Sequence, residues 1–110
     1  MTHEIRHVLM IEDCQIAQKV GKFVFGKLDC VLDIANSGQA GIEMAQKHHY
    51  SLLVVDVGLP DMSGIETIER LLKTNAKYKQ QPIIALTAHN DEDYRKNCLS
   101  AGFTSYFCKP

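Results

Sequence analysis

Apolar residues in this chain come as short unbroken runs, separated by stretches in which they recur every three or four positions. Val8-Leu9-Met10-Ile11 ends abruptly at Glu12-Asp13, the form of a strand covered on both faces. Ile16, Val20, Phe23, Val24 and Leu28 then fall on one side of a helix, which is expected to bury that side and to close near Gly26. Val31 to Ala35 predicts a second strand, and Ser37 is placed to N-cap a helix that buries Ala40, Met44 and Ala45. Leu52 to Val55 predicts a third strand running into Asp56 and the Gly58-Leu59-Pro60 turn. Ser63 and Glu66 have capping-box spacing at the head of a helix striped by Ile65, Ile68, Leu71 and Leu72. Lys73 to Gln81 is polar and reads as a plain return. Pro82 to Leu86 predicts a fourth strand ending at Thr87. Asp91-Glu92-Asp93 loads acids onto the next helix N-terminus, Tyr94, Cys98 and Ala101 share its buried side, and Gly102 closes it. Thr104 to Cys108 is the fifth strand, leading into Lys109-Pro110.

Strands alternating with helices at this spacing, with no hairpin between them, require right-handed βαβ units and a parallel sheet. The fold class is therefore a doubly wound α/β sandwich. A length of 110 residues suits one domain, and no repeat, low-complexity tract or linker divides it, so residues 1–110 are read as a single unit with its core in 7–110. Such a sheet normally adds a helix after its fifth strand. The expectation is that this final helix is missing, that the domain is truncated before it, and that one sheet face stays uncovered, inviting a homodimer or a swap.

Net charge of −1 and the lack of a long basic run argue against direct binding to nucleic acid or to a membrane surface. The residues up to His7 lack the apolar centre of a signal peptide, and no apolar run approaches the roughly 20 residues needed to cross a bilayer. Cys14, Cys30, Cys98 and Cys108 are widely spaced with no Cys-x-x-Cys pair, so neither a zinc ligand set nor a disulfide scaffold is indicated, and reduced thiols in the cytoplasm are expected. A longer parent protein could still be membrane-anchored. Cys14 and Cys108 have no basic partner and are expected to be small buried apolar residues. His3 and His7 stand four apart but lead into the first strand rather than along a helix, so the five histidines His3, His7, His48, His49 and His89 offer no helical ligand pair, and His48-His49 is placed to answer a helix dipole.

Open parallel sheets bind ligands outside the carboxyl ends of their strands. There the chain carries Glu12-Asp13, Asp56, Thr87 and Lys109. Carboxylates brought so close repel unless a cation intervenes, and an oxygen-only donor set favours a hard ion, Mg2+ foremost. Beside it, Lys109 and Thr87 would add a cation and a donor, completing a nest for a small, highly charged oxyanion. Each residue alone has a plainer reading: Asp13 as a helix cap, Asp56 as a turn residue, Thr87 bonding its own backbone, Lys109 solvated, Tyr106 packing in its strand. Their joint occurrence at four strand ends favours a site.

These elements resemble the receiver domains of two-component and phosphorelay signalling. The resemblance runs from His7 to Pro110 and rests on Glu12-Asp13, Asp56 with Pro60 and Gly64, Thr87-Ala88, Ala101-Gly102, and Tyr106 three residues before Lys109. It implies a flavodoxin-like five-stranded sheet of order 2-1-3-4-5, in which Asp56 accepts a phosphoryl group from a phosphohistidine donor with Mg2+ as cofactor. By the same resemblance Asp13, Asp56 and the Gly58 carbonyl ligate the metal, Glu12 acts through bound water, and Lys109 offsets charge on the transferring group. Thr87 then bonds a phosphoryl oxygen and Tyr106 turns inward, changing the surface of the fourth helix and fifth strand. The implied partners are a sensor histidine kinase and a histidine phosphotransfer domain. Such a domain is a self-phosphorylating acceptor rather than a conventional enzyme, although a hybrid parent would carry kinase activity.

The chain departs from the family pattern in having Glu12 where Asp is commoner, and Gly58 and His89 fill two variable places flanking the phosphoryl group. The wording from Gly58 to Gly64 resembles receivers of hybrid sensor kinases more than those fused to DNA-binding outputs. Two rival readings are a non-phosphorylated interaction module of the same fold and a flavodoxin-like cofactor domain. The intact Asp13, Asp56, Thr87 and Lys109 set speaks against the first. Against the second, acids stand where a phosphate loop would need Gly, Ser or Thr.

Overall fold

The computed structural model describes residues 6–88 and 92–108. Strands β1 (Arg6–Ile11), β2 (Cys30–Ala35), β3 (Leu52–Asp56), β4 (Ile83–Thr87) and β5 (Ser105–Cys108) alternate with helices α1 (Gln15–Lys27), α2 (Gly38–Lys47), α3 (Gly64–Thr74) and α4 (Glu92–Ala101). The strands form one parallel sheet, as the sequence pattern predicts, in the order β2-β1-β3-β4-β5 that the resemblance implies. Successive side chains in a strand point to opposite faces. Leu9, Ile11, Leu53, Val55, Ile83 and Ala85 thus share the main core with Ile42, Ala45, Ile68, Leu71 and Cys98 from α2, α3 and α4. Val8, Met10 and Val54 look the other way, toward Phe25 of α1.

The local signals for α2 and α3 hold. Ser37 Oγ accepts from Ala40 N at 3.1 Å and Ser63 Oγ from Glu66 N at 3.1 Å. The capping box at α3 is half made, because the Glu66 carboxylate meets Arg70 at 3.2 Å one turn on. Ala45 is fully buried, with Ala40 and Met44 half-buried beside it, and Gly102, at φ +127°, ends α4 in a conformation that few other residues tolerate. Cys98 is the buried residue of α4, flanked by half-buried Tyr94 and Ala101.

Helix α1 departs from expectation. It continues to Lys27, past Gly26, and Ile16, Val20, Phe23, Val24 and Leu28 are exposed rather than buried, Ile16 by 75% and Phe23 by 64%. The helix meets the sheet through Gly21 and half-buried Phe25 instead. Its apolar stripe borders a groove of about 440 Å³ floored by Met10, Val54, Ile84 and Leu86 and bounded by Phe107. Among the described residues none packs over the β4–β5 half of this face, where Phe107 is exposed. Cys14 and Cys108 border the same groove and are exposed, against the expectation that they are buried.

The stretch from Lys73 to Gln81 is not a plain return either. Residues Ala76–Gln80 form a 3-10 turn that buries Tyr78 completely. The Tyr78 hydroxyl lies 3.0 Å from Ala45 O and 2.9 Å from His48 O and accepts from Tyr50 N at 3.2 Å, closing the end of α2 onto β3. One aromatic among lysines carries no periodicity, which hides it in the sequence. Replacing Tyr78 with Phe keeps the packing but strands the buried Tyr50 N–H, so urea denaturation should show a loss of about 1–3 kcal/mol.

Candidate functional site

The register of β1 against β3 pairs Ile11 with Val55, so Glu12, just past β1, lies beside Asp56, the last residue of β3. Carboxylate oxygens of Glu12, Asp13 and Asp56 come within 4.8 Å of one another. Glu12 is wholly buried and Asp56 is 5% exposed, whereas Asp13 faces solvent. On the other side of β3, Asp56 pairs with Leu86, which sets the buried Thr87 at the same rim. The fold thus brings Glu12, Asp13 and Asp56 together at one edge of the sheet. Lys109, His89 and Asp91 lie outside the described residues.

Backbone groups orient the acids. Gly58 N donates to Asp56 Oδ1 at 3.1 Å and Cys14 N donates to Glu12 Oε1 at 3.1 Å. Cys14 is also the N-cap residue of α1, without a side-chain cap bond, so Asp13 is not the helix cap that its position alone would suggest. After Asp56, Val57 N donates to Leu86 O at 2.9 Å and Gly64 N returns to Val57 O at 2.9 Å, closing the loop tightly. A Cβ at Gly64 would lie 2.6 Å from Val57 Cα and 2.8 Å from Asp56 O, so only glycine permits this approach.

Two residues near the site had no signal in the sequence. Gln18 Nε2 donates to Glu12 O at 2.6 Å and to Asn36 Oδ1 at 2.8 Å, joining the ends of β1 and β2. Asp61 accepts from Gly38 N at 2.9 Å and from Gln39 N at 3.0 Å. Those two amides hold its carboxyl below the usual carboxylate range. Each contact joins a helix to a loop from another part of the chain, and neither follows from local spacing.

The donor set fits a hard cation. Six oxygens at 2.0–2.1 Å around Mg2+ stand about 3 Å apart when adjacent and about 4 Å apart when opposite. Carboxylates within 4.8 Å of one another match that spacing, with water completing the shell. It is the one group of His, Cys, Asp and Glu side chains of this kind among the described residues. His48 is the C-cap residue of α2, and His49 stacks on Tyr78 at 6.2 Å. Tyr106, half-buried on β5, packs against the main core and pairs with Ala85, two residues before Thr87.

An acid cluster at the carboxyl edge of a 2-1-3-4-5 parallel sheet defines a class of signalling domain, and comparison with known proteins agrees. The family model for the response regulator receiver domain matches residues 8–110, and the chain belongs to that family. The aerobic respiration control sensor protein ArcB of Escherichia coli is 34% identical over 104 residues, spanning 94% of this chain and 13% of ArcB. The transcriptional regulatory protein HprR of Escherichia coli is also 34% identical, over 103 residues that span 94% of this chain and 44% of HprR. The chain thus corresponds to under half the length of either relative. A sensor protein and a transcriptional regulator match equally well, so similarity does not support the hybrid-kinase resemblance over the other. The Saccharomyces cerevisiae receiver domain of Ssk1, solved with the histidine phosphotransfer signaling protein Ypd1, is similar at 27% identity, with a TM-score of 0.84 and coverage of 100% of this chain and 82% of that one.

The Gly64 contact yields a direct test of the loop. Gly64→Ala forces a methyl group against backbone atoms that cannot swing away, which should cost about 1–3 kcal/mol in urea denaturation. The same variant should shift the Gly58 amide resonance, because the bond to Asp56 moves with the loop.

Proposed function

We propose that the domain is a phosphoacceptor in which Asp56 takes a phosphoryl group from a phosphohistidine donor with Mg2+. The supporting observation is the convergence of Glu12, Asp13 and Asp56 within 4.8 Å at the carboxyl ends of two adjacent parallel strands. Asp56 attacks phosphorus in line as a carboxylate. One bond forms between its oxygen and phosphorus while the bond from phosphorus to the donor imidazole nitrogen breaks, and the imidazole leaves with the electron pair. The Gly58 N–H, 3.1 Å from Asp56 Oδ1, restrains the carboxylate before attack, which lowers the entropic part of the barrier.

Asp13, Asp56 and the Gly58 carbonyl would hold the ion, with Glu12 acting through bound water. Mg2+ bound there supplies charge neutralisation for the transferring group. Lys109 is assigned the second positive charge from the sequence motif. Thr87 would donate to a phosphoryl oxygen once Asp56 is modified, and its movement is read out through Tyr106 at the surface of α4 and β5. The domain is an acceptor of a phosphoryl group and spans residues 1–110 as one receiver unit.

The partners proposed are a sensor histidine kinase and a histidine phosphotransfer domain. Similarity to the sensor protein ArcB and to the receiver solved with Ypd1 supports both. No helix among the described residues is long and apolar enough to cross a membrane. Free thiols at Cys14, Cys30, Cys98 and Cys108 suit the cytoplasm proposed for the domain.

Mass spectrometry after incubation with acetyl phosphate and Mg2+ tests the reading. Protein shown by circular dichroism to be folded should gain a phosphoryl group, and Asp56→Asn should abolish the gain. An undiminished adduct on Asp56→Asn, or none on folded wild-type protein, would overturn it.

A further inference from the structure

We propose that Asp61 is a positioning residue for the cation site: it ties the loop carrying Gly58 to the N-terminus of α2, and so to the strand end that carries Glu12 and Asp13. The inference rests on the Mg2+ reading above and adds a residue outside the ligand set. Asp61 Oδ1 accepts from Gly38 N at 2.9 Å and Oδ2 from Gln39 N at 3.0 Å. Two parallel bonds to one carboxylate fix direction as well as distance. Ser37 already serves the next two amides of the same helix, taking Ala40 N on its hydroxyl at 3.1 Å and Gly41 N on its carbonyl at 3.0 Å. Ser37 caps α2 from its own loop, whereas Asp61 does so from the loop that follows Asp56.

The tie continues on both sides. Gly38 sits so close to Met62 and Thr67 that a Cβ there would lie 2.6 Å from Met62 Cγ and from Thr67 Oγ1. At the other end of the β2–α2 connection, Ala35 O accepts from Glu12 N at 2.9 Å, and Gln18 bridges Glu12 O and Asn36 Oδ1. Residues 35–39 are therefore bonded at one end to the acid pair and at the other to the loop after Asp56. The spacing between Glu12-Asp13 and Asp56-Gly58 is set twice, by the sheet register and by this brace. Mg2+ demands near-ideal octahedral geometry, so a ligand spacing that is held loosely weakens binding. Asp61 is exposed and sits outside the cluster, which confines its part to holding the loop.

Two readouts test the brace: calorimetric titration with Mg2+, and amide hydrogen exchange at Gly58 in metal-free protein. Asp61→Ala should weaken Mg2+ binding about tenfold, the low end of what losing an outer-shell partner costs, and should speed Gly58 exchange. Asp61→Asn keeps one acceptor oxygen and should fall between; it decides the matter if Asp61→Ala does not fold. Ser37→Ala removes a cap from the same helix without touching the loop. It should lower stability yet keep wild-type affinity and wild-type Gly58 exchange. Wild-type values of both readouts in the Asp61 variants, or equal losses in Ser37→Ala, would overturn the proposal. Wild-type protein that binds no Mg2+ would overturn the metal reading instead, and Gly58 exchange would then decide the tie alone.

Discussion

Carboxylates repel, and one edge of this sheet holds Glu12, Asp13 and Asp56 within 4.8 Å of one another with two of them buried. Much of the surrounding structure bears on that repulsion. Burial in a low dielectric makes like charges costlier to hold, so the arrangement persists only with donors aimed at the acids and room for a cation among them. Gly58 N and Cys14 N are such donors. A cation among the acids, as proposed above, would relieve the same repulsion.

Parallel pairing gives the acids their common address. With Ile11 beside Val55 and Asp56 beside Leu86, Glu12 just past β1, Asp56 at the end of β3 and Thr87 at the end of β4 fall on one rim. The loops must then leave without spreading. Gly64 makes that possible after β3, because its missing side chain lets the start of α3 press on the Asp56 backbone. Fold and site are thus coupled through a few backbone contacts, and the apolar core behind them carries the stability.

How much of this was legible in the residues depends on how local each signal is. The parallel sheet, the Ser37 and Ser63 caps and the meeting of Glu12-Asp13 with Asp56 follow from short-range patterns together with the handedness of βαβ units, whereas the strand order was implied by the family resemblance. The α1 stripe was legible as a stripe but not as exposed, since periodicity marks which residues share a side and is silent on what covers them. Tyr78 was invisible because a single aromatic in a polar turn has no period. Asp61 and Gln18 act across loops separated by many residues, and only the folded chain brings them to their partners. Cys14 and Cys108 were expected to be buried on the average behaviour of cysteine, and the open groove between α1 and β5 leaves them at the surface.

The central claim is that Glu12, Asp13 and Asp56 form one site for a divalent cation. Residue-resolved NMR during titration with Mn2+, a paramagnetic stand-in for Mg2+, tests it most directly. The account predicts that amide signals of residues 12–14 and 56–58 broaden first, followed by Thr87 and Ala88, and that excess Mg2+ restores them. Broadening centred on another acidic stretch, such as Glu92-Asp93, or broadening that Mg2+ does not reverse, would contradict it.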